Sequence, residues 1–321
     1  MEKYNSRRHR SSAIASAGLA LFAIFSAPLQ AADSAEILKS RRCATRLSIA
    51  VLGTSPDSAL LSSPNPQAQV DQLLASEVFR ERFARFINAR FNDDTGASPE
   101  EDAPYYMTKY VLENNLKWKD AFVGGYNVVP SGTGAARTVS VRTDANGLGY
   151  FRSPAWLARY AGNELQGVKI ATVYRMINNT TGLNLSAVTT APGADVSANG
   201  RASAPCKTCH YDNWYALDKN AALLDRRVPM SNPPRFTPAD GQPKEVLDGQ
   251  MLRNDKEFVQ ALVDSPDFTF HACRLAFSYL YGRSENACEG AVFDSCVEAF
   301  KASGSMTSAL AAVAKDASFC Q

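Results

Sequence analysis

The chain has 321 residues, with 34 Lys and Arg against 32 Asp and Glu and a formal net charge of +2. A balance this even carries no basic footprint for nucleic acid. The length suits one large domain or two modest ones.

Residues 1–31 read as an export signal. Arg7, Arg8 and Arg10 make a basic start, 13–27 is apolar but short for a transmembrane span, and Leu29-Gln30-Ala31 offers a small-residue cleavage site. No second long apolar run follows. The mature chain is therefore expected to be near neutral, to lack a membrane span and to be periplasmic or secreted.

Residues 32–128 read as an N-terminal helical region. Ile37, Leu38, Leu47, Val51 and Leu52 predict a helix over 34–53 that ends at Gly53. Val70, Leu73, Leu74, Phe79, Phe83 and Ile87 recur at helical spacing and predict a second helix over 66–91. A solvated acidic loop at 92–104 precedes a third helix over 105–117. Residues 129–203 form a connecting region, with a short strand at 138–143, helices over 153–161 and 167–179, and then a loop.

That loop delivers the most informative residues in the chain, Cys206-Lys207-Thr208-Cys209-His210. Two thiols three positions apart, followed at once by histidine, form the C-x-x-C-H pattern of covalent haem attachment. Each sulfur adds to one porphyrin vinyl group to make a thioether, and the adjacent imidazole is held where it can ligate iron. A structural zinc site would need a second Cys or His pair, and no second C-x-x-C and no H-x3-5-H exists. A thioredoxin-like pair should follow a strand, whereas the residues before Cys206 are loop-forming. A plain disulfide is the remaining alternative. The haem segment is drawn at 204–253, where Pro229, Pro233, Pro234, Pro238 and Pro243 imply an irregular wrap.

Residues 254–321 predict a C-terminal helical bundle. Helices start near Asp255 and Pro266 and cover 291–302 and 306–317, with Gly282 and Gly304 as stop signals. The run from Val70 to Phe79 is echoed from Val259 to Phe268, which predicts a repeated corner with Ser76 and Ser265 as N-caps. Five thiols remain, and an exported protein can oxidise them. Four lie after residue 272, so a stapled bundle is expected; about 15 two-bridge pairings of five thiols stay open, and the preferred one is Cys273–Cys288 with Cys296–Cys320, leaving Cys43 free.

Several residues compete to be the sixth iron ligand. Met251 lies in a loop before a helix, His271 is the one histidine besides His210 outside the signal, and Met230 sits among prolines. An imidazole there gives a low potential and a thioether a higher one. Trp214 and Tyr215 are candidates to lie against the porphyrin or in the core. Arg201 and Lys207 are candidates to pair with its propionates.

The stretch Gly149-Tyr150-Phe151-Arg152-Ser153-Pro154-Ala155-Trp156-Leu157-Ala158, the motif from Cys206 to His210, Asp248-Gly249, Cys273-Arg274 and Tyr279-Leu280-Tyr281-Gly282-Arg283 occur in an order that resembles the planctomycete-type c cytochrome families. The resemblance is best over 148–321 and looser over 34–91. Members often carry Asp-Pro-x-Gly-Phe soon after the haem histidine, where this chain has Tyr211-Asp212-Asn213-Trp214-Tyr215-Ala216-Leu217. The resemblance implies one covalent haem c and electron transfer with a redox partner protein.

The expectation is a mostly α, irregular multi-helix protein with a loop-rich c-type haem segment, acting as an exported single-haem cytochrome. Two other functions compete with it. One is a haem enzyme with an open iron position, peroxidase- or oxygenase-like. The other is a binding module in which haem is structural.

Overall fold

The computed structural model describes residues 27–92, 102–161, 170–186, 193, 195–228 and 235–321. The expected signal up to residue 26, most of the acidic loop, and Met230 with its neighbouring prolines lie outside the described residues.

Helix α1 (Ala27–Leu47) runs into a π-helical turn, Ser48–Leu52, that closes at Gly53 with φ of 72°. A side chain there would pay about 1–2 kcal/mol for the left-handed backbone. The carbonyls freed at this end are taken by Arg82, whose Nη1 donates to Ile49 O at 2.6 Å. Asp57 caps the short α2 (Ser58–Leu61), accepting from Leu60 N at 2.8 Å.

The helix predicted over 66–91 is instead a 3-10 turn (Pro66–Gln69), α3 (Val70–Leu74) and α4 (Glu77–Phe91). Ser76 causes the break. Its Oγ donates to Leu73 O at 2.7 Å, which ends one helix, and accepts from Phe79 N at 3.2 Å, which starts the next. The echoed corner repeats half of this between α11 (Asp255–Val263) and α12 (Pro266–Tyr281). There Ser265 Oγ donates to Leu262 O at 2.7 Å but makes no cap bond to the next helix, which starts with Pro266 at its first position, where an N–H would have no partner within the helix. Phe79 and Phe268 follow the two corners into the core.

Between these corners the chain forms α5 (Ala103–Glu113), α6 (Asp120–Val123) and a hairpin, then α7 (Pro154–Ala161) and α8 (Ile170–Thr181). The hairpin pairs β1 (Tyr126–Ser131) antiparallel with β2 (Thr138–Thr143), Val128 opposite Val141. Beyond α8 come α9 (Ala198–Arg201), α10 (Leu217–Ala221) and two small antiparallel ribbons. These are β3 (Arg226–Arg227) with β4 (Phe236–Thr237), and β5 (Lys244–Val246) with β6 (Gln250–Leu252). The chain closes with α13 (Gly290–Ser303) and α14 (Met306–Lys315). Gly282 and Gly304 end α12 and α13 with φ of 69°, as the stop signals predict.

One apolar core runs from α1 to the last turn. Tyr279 packs edge-on against Phe83 at 5.1 Å, and its hydroxyl donates to Val51 O at 2.6 Å. Trp118 N donates to Gly304 O at 2.7 Å, and α3 packs against α14. Helix α8 touches α7, α10, α11 and α12, so it ties α10 and the loop before it to this core. Its buried Asn179 donates to Tyr150 Oη at 2.9 Å and to Phe91 O at 3.2 Å. Arg152 reaches Asp255 with two donors, at 3.1 and 2.6 Å, which fixes the start of α11.

The expected disulfide pairing is corrected. Cys43 bonds Cys320, and Cys273 bonds Cys296, while Cys288 is free and exposed. The expectation weighted closeness in sequence, but the fold decides pairing by facing surfaces. Cys273 and Cys296 are both fully buried between α12 and α13, whereas Cys288 sits on the solvent side of their connection. Cys43 on α1 meets the final turn because α1 and that turn pack together. Two bridges fit an oxidising compartment. Among the described residues no helix is long and apolar enough to cross a membrane.

Candidate functional site

The C-x-x-C-H stretch begins beyond α9 and forms a π-helical turn over Thr208–Asp212. The N–H groups of Cys209 and His210 both donate to Cys206 O at 3.2 Å, and Asn213 N closes the wide turn on Thr208 O at 3.0 Å. Single π turns inside helical segments are frequent at functional sites. Here the turn gathers both thiols and the imidazole into one short loop. Cys206 and Cys209 are half-buried and outside any disulfide.

After Asn213 the chain bends through Trp214 and Tyr215, and Leu217 buries the start of α10. This return brings Asp218, in the first turn of α10, back to the π turn. Asp218 Oδ2 lies 2.6 Å from His210 Nδ1. The same carboxylate takes Arg201 Nε at 3.1 Å and Nη2 at 3.0 Å. Arg201 Nη1 also donates to Val196 O at 2.6 Å, which folds α9 against the site. The three side chains are largely shielded, with 8% exposure for Asp218, 13% for Arg201 and 19% for His210. With Nδ1 spent on the carboxylate, Nε2 is the nitrogen left to bind a metal. Burial and then the Asp218 charge push the Tyr211 phenol up.

The aromatic pair also belongs to this loop. Trp214 and Tyr215 meet edge-on at 5.5 Å. Tyr215 Oη lies 3.5 Å from Cys209 Sγ and accepts from Asn213 Nδ2 at 2.9 Å. The neighbouring sulfur, then burial, raise the Tyr215 phenol. Lys207 pairs with Asp212 at 3.4 Å on the surface. Arg201, a candidate for a propionate or for solvent, is paired with Asp218.

The two leading sixth-ligand candidates occupy different surroundings. Met251 lies in β6, paired with Glu245 of β5, and is 57% exposed. Strand β5 packs against α10, so Met251 belongs to the ribbon beside the Asp218 helix. His271 lies on α12, and α8 packs against both α12 and α10. Its ring faces Phe91 at 6.1 Å, and a Cβ at Gly182 would fall 2.5 Å from its Nδ1. Its Nε2 is buried with no hydrogen-bond partner. Burial first, then Arg274 and Arg90, lower its pKa from 6.5 to about 4, so the ring is neutral.

Sequence reasoning missed Asp218. A signal was present, because a ligating histidine ordinarily donates its second nitrogen to a carboxylate or carbonyl. Only Asp212 and Asp218 supply carboxylates in the ten residues after His210. Choosing between them needs the π turn. Asp212 stays on its outer side and pairs with Lys207, and Asp218 is the one folded back.

Among the described residues, no three or more His, Cys, Asp and Glu side chains group so as to hold a metal ion. Cys206, Cys209 and His210 therefore do not converge on a zinc-like centre of their own. No protein-family model matches the chain, and no curated protein or solved structure is significantly similar to it.

Proposed function

We propose that this protein is an exported, single-haem c-type cytochrome that transfers electrons in the periplasm or outside the cell to a partner protein. The observation that carries the reading is the state of the motif. Both thiols are outside any disulfide, they sit in one turn with the imidazole, and His210 Nδ1 is engaged by Asp218 so that Nε2 is left for iron.

The donor set fits haem c. Cys206 and Cys209 would hold the porphyrin covalently, and His210 would hold its iron. Bound there, haem supplies reversible one-electron exchange. The chain does the rest. Arg201 and Asp218 orient the imidazole, and α8 anchors the segment to the core. The two disulfides support an exported location.

A second reading is favoured by one observation. His271 is closed in by Gly182 and Phe91, and Met251 is largely exposed. An open sixth position would make the protein peroxidase-like. An optical spectrum separates the two. Low-spin, six-coordinate iron that ignores carbon monoxide and peroxide is the expected result. High-spin iron that reacts with peroxide overturns electron transfer in favour of the enzyme. Met251→Ala and His271→Ala then show which side chain, if either, supplies the sixth ligand, because loss of the true ligand turns the spectrum high-spin.

A further inference from the structure

The structure assigns Asp218 as the positioning residue that sets how strongly His210 donates to iron, an inference that rests on the haem reading above. The oxygen–nitrogen separation of 2.6 Å is short for a hydrogen bond of this kind, as expected where a carboxylate accepts from an imidazole N–H. Two consequences follow from this contact. The proton is held on Nδ1, so the Nε2 lone pair points away from α10. The pull of the carboxylate on that proton makes the ring a more basic ligand.

The contact is supported rather than incidental. Asp218 is 8% exposed, and Arg201 grips its oxygens with Nε and Nη2, so the carboxylate cannot swing to solvent without breaking two charge-assisted bonds. Arg201 is itself fixed through Val196 O. The order Val196–Arg201–Asp218–His210 therefore forms one chain of donors and acceptors that ends at the ligand ring. A more basic ligand favours ferric over ferrous iron, so the site is tuned to a lower potential than an uncharged acceptor at Nδ1 would give.

The test uses the full-length, haem-loaded chain as wild type, Asp218→Asn, Asp218→Glu and Arg201→Lys, with midpoint potentials from spectroelectrochemistry. Asp218→Asn keeps the shape and removes the charge. It should weaken the preference for ferric iron, by about 10- to 100-fold if the effect matches the loss of metal affinity seen when such a partner is removed. For a one-electron couple at 59 mV per tenfold, that is a rise of about 59 to 118 mV. Asp218→Glu should recover most of the shift, and Arg201→Lys should show a smaller rise. A midpoint that Asp218→Asn leaves unchanged overturns the proposal. If that variant does not fold, Arg201→Lys decides in the same way. A second readout needs no haem. Nitrogen-15 shifts of His210 in the full-length chain expressed without haem should report the Nδ1–H tautomer, and Asp218→Asn should mix the tautomers. An Nε2–H ring in the wild type overturns the proposal. If the tautomer result holds but haem never attaches, the haem reading alone has failed.

Discussion

Breaking the Cys43–Cys320 bridge should lower stability more than breaking the other disulfide, although both terminal segments stay docked without it. The bond spans 277 residues. The loop-entropy relation gives about 5.6 kcal/mol for a closed loop of that length, against about 3.4 kcal/mol for the 23-residue span of Cys273–Cys296. Measured effects usually fall to about 2–4 kcal/mol. The native contacts that keep the ends together are independent of sulfur. Arg46 Nη1 donates to Gln321 O at 2.7 Å and its guanidinium stacks 5.0 Å over Phe319. Gln67 Nε2 donates to Ala314 O at 2.9 Å and Asp316 O at 2.7 Å, and Lys315 pairs with Asp71 at 2.7 Å. The Cys43→Ser/Cys320→Ser variant should therefore keep its native circular dichroism. Its urea midpoint should fall by about 1 M or more, taking a slope of about 2–3 kcal/mol per molar. Non-reducing peptide mapping of the wild type checks the pairing directly, and Cys288→Ser serves as the silent control. An unshifted midpoint, or a Cys43–Cys288 peptide, refutes the reasoning.

Three further outcomes follow from the core. The folded pKa of His271, about 4, lies below its ordinary 6.5, so between these values the unfolded ensemble binds a proton that the folded protein refuses. Stability should be flat above pH 6.5 and fall by up to about 3 kcal/mol as the pH drops towards 4, and His271→Gln should flatten this slope in urea titrations at several pH values. Gly182→Ala forces a left-handed φ of 76° on alanine and sets its methyl 2.5 Å from His271 Nδ1. It should cost about 2 kcal/mol or more, and a double-mutant cycle with His271→Ala should return part of it. Arg152→Ala leaves the Asp255 carboxylate, 6% exposed, without its two donors. A loss of about 3–5 kcal/mol is expected in thermal or urea unfolding, with a smaller loss when both partners are replaced by apolar residues.

The helices were legible where apolar spacing and stop signals agreed, as in α12 and α13, closed by Gly282 and Gly304. The echoed Ser76 and Ser265 corners were legible in part: both hydroxyls donate back to the preceding helix, but only Ser76 also caps the next one. Strand β1 was not legible, since Asn127 and Pro130 interrupt the alternation that made β2 visible. The disulfide pattern was illegible for a different reason. Cys43 and Cys320 meet only after α1 and the last turn dock, and nothing local records that contact. The motif from Cys206 to His210 is a contiguous pattern, so its letters suggest a chemistry without knowledge of the fold. Asp218 could not be read so, because its role depends on a π turn and a bend that bring a residue eight positions later back to the ring.

The central claim is that Cys206 and Cys209 carry a porphyrin whose iron rests on His210. It is tested most directly by intact-mass and visible spectra of the full-length chain secreted by a bacterial strain able to mature c-type cytochromes. The expected result is a red protein heavier by one tetrapyrrole, with the added mass on the peptide that contains both cysteines and lost in Cys206→Ser/Cys209→Ser. A colourless product of unmodified mass, with free thiols at both positions, contradicts it.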